Sequence, residues 1–111
     1  MKITCHCGAL IIDQTDDLPH KAHLIPDQEW FAVFDALDEV ISEVGAGQSS
    51  VEAAQTRFRS VLSSASRLVY QCRECGRLFV PDRQNKLFPF APSGTEINRE
   101  ILRSRDSLSN A

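Results

Sequence analysis

Between Asp27 and Gly45 the apolar residues return at helical intervals: Trp30, Phe34, Leu37, Ile41 and Val44 lie four, three, four and three apart. That spacing marks one face of an α-helix. Phe31, Val33 and Val40 widen the face, and Glu29, Asp35, Asp38, Glu39 and Glu43 fill most of the other positions. Asp27 is placed to cap the start through its carboxylate, and Gly45-Ala46-Gly47 to end the helix, with Gly45 as the left-handed residue. Val51, Ala54, Phe58, Val61, Leu62 and Ala65 form a second helical stripe, and the spacing of Ser49 to Glu52 is that of a capping box. So short a link between two amphipathic helices predicts an antiparallel hairpin, with Arg57 and Arg59 within reach of the acidic first helix.

The pattern on either side is shorter and β-favouring. Lys2-Ile3-Thr4 and Ala9-Leu10-Ile11-Ile12 read as a small hairpin about residues 5–8. Leu68-Val69-Tyr70-Gln71 and Arg77-Leu78-Phe79-Val80 repeat that arrangement about residues 72–76. Lys86-Leu87-Phe88-Pro89-Phe90 is a third strand, placed at an edge by Pro89, which has no amide to donate. Leu18 to Pro26 reads as a loop bounded by Pro19 and Pro26, and 96–103 as a short last helix with Ile97, Ile101 and Leu102 inward. The expected fold is α+β: a small antiparallel β element built from both chain ends, an inserted two-helix hairpin and a C-terminal helix. It is read as one domain over 1–105, with the insertion at about 27–66 and a flexible tail at 106–111.

Both β turns carry cysteine pairs, Cys5-His6-Cys7-Gly8 and Cys72-Arg73-Glu74-Cys75-Gly76, with 64 residues between Cys7 and Cys72. Each pair brings two sulfurs to one ion, and four thiolates suit a tetrahedral Zn²⁺. The glycine that ends each pair tolerates the positive φ needed where backbone curls round a metal. A four-cysteine zinc site is closed, leaving no position for a reactive water, and so reads as structural. Iron is the lesser alternative, since the same thiolates bind it. A redox dithiol at Cys72 and Cys75 is a third reading, but it leaves Cys5 and Cys7 without a role.

Paired knuckles ending in glycine resemble a zinc ribbon. The strings Cys5-His6-Cys7-Gly8-Ala9 and Cys72-Arg73-Glu74-Cys75-Gly76 also resemble the structural zinc ligands of the glutathione-dependent formaldehyde-activating enzyme family. That family carries its chemistry on a further cysteine cluster between the pairs, and here the interval has no cysteine. The resemblance implies a structural metal and argues against carrying over the activity.

Composition adds the setting. In 111 residues, 42% are apolar and 24% charged, as in a soluble domain, and no apolar run is long enough to span a membrane. With no secretory signal, a cytoplasmic location is expected, where close cysteine pairs bind metal more often than they form disulfides. The net charge of −3 divides unevenly: two lysines face ten acids in residues 1–55, and ten basic residues face five acids in 56–111. The two halves are expected to neutralise each other, because the basic residues are scattered.

Other candidates are weaker. His20 and His23 sit in the Pro-bounded loop, where a second metal site or an acid–base role competes with plain solvation. Arg73, Arg77 and Arg83 surround the second knuckle and could reach nucleic-acid phosphates, yet the strands carry no row of aromatics for base stacking. Trp30 and Phe31 point about 100° apart on their helix, so one is expected to stay exposed as an interaction anchor. No glycine-rich phosphate loop, Ser/His/Asp set or carboxylate pair is present. The chain therefore reads as a non-enzymatic interaction or adaptor module, binding a protein through its acidic first helix near Trp30. A nucleic-acid-associated zinc ribbon and a thiol, redox or metal-dependent enzyme are the alternatives.

Overall fold

The computed structural model describes residues 1–105, and the tail expected over 106–111 lies outside them. The α+β class is as expected: two helices, a two-stranded sheet and a four-stranded sheet. The described residues divide into two compact units, one of Met1–His23 with the chain from Leu68 onward, the other of Leu24–Arg67.

The first unit holds the strands. β1 (Lys2–Thr4) and β2 (Leu10–Ile12) pair antiparallel, with Ile3 opposite Ile11, around the first cysteine turn. The larger sheet runs in the order β3 (Lys21–Leu24), β4 (Arg67–Gln71), β5 (Leu78–Pro81), β6 (Leu87–Phe90). β4 and β5 are antiparallel around the second cysteine turn, with Tyr70 opposite Phe79. β6 is the outer strand beside β5, and there Pro89 breaks no ladder because its missing amide faces outward. The turn from β5 to β6 closes on Asp82, whose Oδ1 accepts from the amides of Gln84 and Lys86; Asn85 takes the left-handed conformation there. Cys5, Ile11, Tyr70, Cys72 and Phe79 form the core, so the cysteines and the hydrophobic centre coincide.

Two expectations in this unit change. Residues 21–24, read as loop, form β3. Their sequence, Lys-Ala-His-Leu, lacks β-branched residues, and the strand exists because a neighbour supplies its partner groups: the Gln71 amide donates to the His20 carbonyl. The helix expected over 96–103 is absent, and residues 99–102 form turns. The reason is Gln71. Its buried side chain donates to the carbonyls of Gly76 and Asn98 and accepts from the Ile101 amide, so backbone groups a helix would use are already engaged. An eight-residue helix has little cooperativity to compete with that. Ile97 and Ile101 are accordingly exposed.

The second unit is the helical hairpin, α1 (Asp27–Gly45) and α2 (Val51–Ala65). Val33, Val40, Ala54 and Ala65 are its buried residues. Arg57 of α2 meets Glu39 and Glu43 near the far end of α1, as the antiparallel arrangement requires; Arg59 is in no ion pair among the described residues. All three cap assignments shift by one or two residues. Asp27 is the first helical residue rather than the cap; Pro26 precedes it with no side-chain cap. The left-handed residue is Gly47, at φ 74°, and the amides of Gly47 and Gln48 return to the carbonyls of Val44 and Glu43 in a Schellman closure. The cap of α2 is Ser50, whose hydroxyl accepts from the Ala53 amide, and not Ser49.

Candidate metal centre

The two cysteine turns are built alike. In the first, the Gly8 amide donates to the Cys5 carbonyl and the Cys5 amide to Ala9, both at 2.9 Å. In the second, the Gly76 amide donates to the Cys72 carbonyl and the Cys72 amide to Arg77, again at 2.9 Å. Gly8 and Gly76 both adopt positive φ, at 94° and 81°. At Gly76 space is also short: a Cβ would lie 2.7 Å from Cγ2 of Ile97.

These turns bring all four sulfurs together. Cys5 Sγ lies 3.5 Å from Cys75 Sγ, and Cys7 Sγ lies 3.6 Å from Cys72 Sγ. All four atoms fall within 4.8 Å of one another, and none of the cysteines is in a disulfide. A tetrahedral ion with metal–sulfur bonds of about 2.3 Å needs sulfur–sulfur edges of about 3.8 Å. The cluster therefore has the size and donor chemistry to bind a metal ion. Cys72 and Cys5 are buried, Cys75 is half-buried and Cys7 is exposed, so one corner faces solvent.

The thiols of Cys5 and Cys7 are shifted in opposite directions. At Cys5 burial pushes the thiol up, but hydrogen bonds from the Cys7 amide, Arg77 and the neighbouring thiols outweigh it and bring the pKa down to about 6. At Cys7 the Ala9 amide favours the thiolate, yet desolvation and the three nearby sulfurs oppose it and hold the pKa up at about 11. One thiolate discourages the next at this separation, and a bound cation relieves that repulsion.

Arg77 brings a positive charge to the cluster. Its Nη1 donates to Cys5 Sγ and Cys75 Sγ, each at 3.5 Å, taking one sulfur from each turn. Residue-type reasoning put Arg77 with Arg73 and Arg83 as phosphate contacts; Arg73 and Arg83 are exposed, while Arg77 is half-buried against the sulfurs. The only hint in the sequence was its place two residues after Cys75.

His20 and His23 lie in unlike surroundings. His20 is buried and its Nε2 donates to the Ile12 carbonyl at 3.1 Å, while His23 is exposed. Nor was a partly buried polar network beside the core foreseen. The Tyr70 hydroxyl donates to Asp13 Oδ2 at 2.6 Å, and Lys21 Nζ donates to Asp13 Oδ1 at 2.9 Å. A tyrosine in an apolar strand needs a partner for its hydroxyl, which was the available signal.

The chain belongs to the family described as Domain of unknown function (DUF8617), which matches residues 1–98 and so includes both cysteine turns and the helical hairpin. No curated protein and no solved structure matches the chain. No helix among the described residues is long and apolar enough to cross a membrane.

Proposed function

We propose that the protein is a zinc-ribbon-like interaction module in the cytoplasm, with Cys5, Cys7, Cys72 and Cys75 as the four ligands of one structural Zn²⁺. The observation that carries this reading is the convergence of all four sulfurs within 4.8 Å, two from each end of the chain. Sulfur donors alone favour zinc over the oxygen-seeking cations, and four of them leave no open position for a substrate. The likeness of the two cysteine strings to structural zinc ligands supports the same choice. Zinc bound there would join turns that are 64 residues apart in sequence and contribute about 10 kcal/mol or more to folding, on the scale of zinc-finger peptides.

A non-enzymatic role is supported by the way the sulfurs are occupied. Each faces another sulfur, and Arg77 covers two of them. The protein-binding face is the acidic first helix, where Trp30, Phe31 and Phe34 are exposed although all three are large and apolar. Trp30 and Phe34 pack edge to face, with ring centroids 5.0 Å apart, which presents them as one rigid anchor.

Native mass spectrometry with and without a chelator tests the metal. One zinc per chain is expected, with none of the four thiols open to a thiol reagent until the chelator removes it; amide dispersion of the β unit should collapse with the metal. A folded, metal-free chain sinks the zinc reading. A thiol that reacts while the metal is bound returns the cysteines to redox or catalytic chemistry.

A further inference from the structure

The seam between the two helices has unlike sides. On one side Arg57 reaches across to Glu39 and Glu43 and closes the gap with ion pairs. On the other no ion pair crosses among the described residues, and a groove of about 280 Å³ opens between Leu37, Ile41 and Val44 of α1 and Val51 and Phe58 of α2. Trp30, Phe34, Leu37 and Ile41 follow one another at intervals of four, three and four and make one ridge along α1. Ile41 is 60% exposed and Phe34 44%, as is Val51 across the groove at 53%. A hairpin can bury only the strip where its helices touch, and a third helix is the usual way to cover such a groove.

Charge decides what kind of helix. Helical periodicity sets Asp27, Asp38 and, further round, Asp35 along the outer border of the ridge, away from Glu39 and Glu43. None of the three aspartates is in an ion pair among the described residues. The border on α2 carries Glu52 and Arg59, which offset each other. Over residues 24–67 seven acids face three arginines, a net charge of −4. A second copy of the chain would bring the same acidic border, and like charges across an interface disfavour it.

We infer that this groove seats an amphipathic helix of a partner protein, its apolar stripe against Ile41, Val51 and Phe58 and a lysine- or arginine-rich edge lying along Asp27, Asp35 and Asp38. The inference rests on the reading of α1 as the binding face and adds the partner's chemistry and its seat. Recognition would be of the helix-in-groove kind, with apolar anchors at helical spacing and charges setting orientation.

The test uses the full metal-loaded chain and two synthetic 18-residue amphipathic peptides (about five turns) sharing one leucine stripe, one flanked by lysines and one by glutamates. Amide spectra are followed during titration. The lysine peptide should shift Leu37, Ile41, Val44, Val51 and Phe58. Ile41→Ala should weaken binding about tenfold, as loss of an interface anchor does. A D27N/D35N/D38N variant should weaken the lysine peptide alone, and added salt should do the same. Equal binding of the glutamate peptide overturns the basic partner while leaving α1 as the binding face. Concentration-dependent shifts of the groove residues without peptide overturn it in favour of a second copy. If neither peptide moves these residues, this inference and the choice of α1 as the binding face both fail, and the metal site is untouched by that result.

Discussion

Arg77 donates to a sulfur from each cysteine turn, so one side chain spans parts of the chain that are 70 residues apart, Cys5 and Cys75. Hydrogen bonds to a thiolate withdraw charge from it, and outer-shell partners of this sort typically tune metal affinity by 10- to 100-fold, roughly. Arg77→Gln should therefore weaken metal binding by about tenfold or more, read as faster transfer of the ion to a chromogenic chelator. Arg77→Lys should recover only part of the loss, because an ammonium on a flexible stem lacks the guanidinium's fixed fork. An unchanged transfer rate in both variants would mean that Arg77 merely lies against the sulfurs. Gly76 shows the other residue-scale constraint, where positive φ strains any side chain and a Cβ would force Ile97 to shift.

Among the elements, the helices owe their ends to residues other than those that propensity alone picks out. α1 starts after Pro26 without a side-chain cap, leaving Asp27 and Glu29 in its first turn to complement the free amides. It ends through Gly47, because the Schellman closure needs the left-handed residue one position beyond Ala46. The Ser49-Ser50 pair tests such local chemistry well. Ser50→Ala should lower the stability of the hairpin by about 1 kcal/mol, whereas Ser49→Ala should change it by no more than about a few tenths. Denaturant midpoints followed at 222 nm compare the two, and equal losses would contradict the cap assignment. Within the β unit, β3 depends on pairing with β4, and the turns at 99–102 on the Gln71 side chain. Neither partner can be found by scanning a window of a few residues.

For the molecule as a whole, Tyr70 and Asp13 join segments that are 57 residues apart and impose a pH window. Burial, with Asp13 beside it, raises the Tyr70 hydroxyl from 10.0 to about 12. A neutral group whose folded pKa is raised stabilises fully below the unfolded value, and that contribution fades between about pH 10 and 12. The Tyr70 hydroxyl and Lys21 hold the Asp13 carboxyl below its ordinary 3.8, so its contribution is present above that value and is lost as the pH falls beneath it. Tyr70→Phe should cost about 2 kcal/mol near neutrality, as for a hydrogen bond to a charged group, and should remove the alkaline limb between pH 10 and 12. Denaturation midpoints measured across pH would show it; a variant with the same alkaline limb as the parent would place that limb on another group.

The cysteine pairs, the two helices and the α+β class were legible in the sequence because each depends on contacts or spacings of a few residues. Helical period, β-favouring runs and Cys-x-Cys and Cys-x₂-Cys turns are local signals, and two turns of matching design far apart imply a common ion. Tertiary structure alone decided the rest. It turned Arg77 from a surface cation into a donor to sulfur, buried His20 against the Ile12 carbonyl, and gave Gln71 the backbone groups that a last helix would have used. Each of these outcomes depends on which groups meet across tens of residues. A buried polar atom takes whichever partner the fold brings within about 3 Å, and its own sequence neighbourhood does not say which that is.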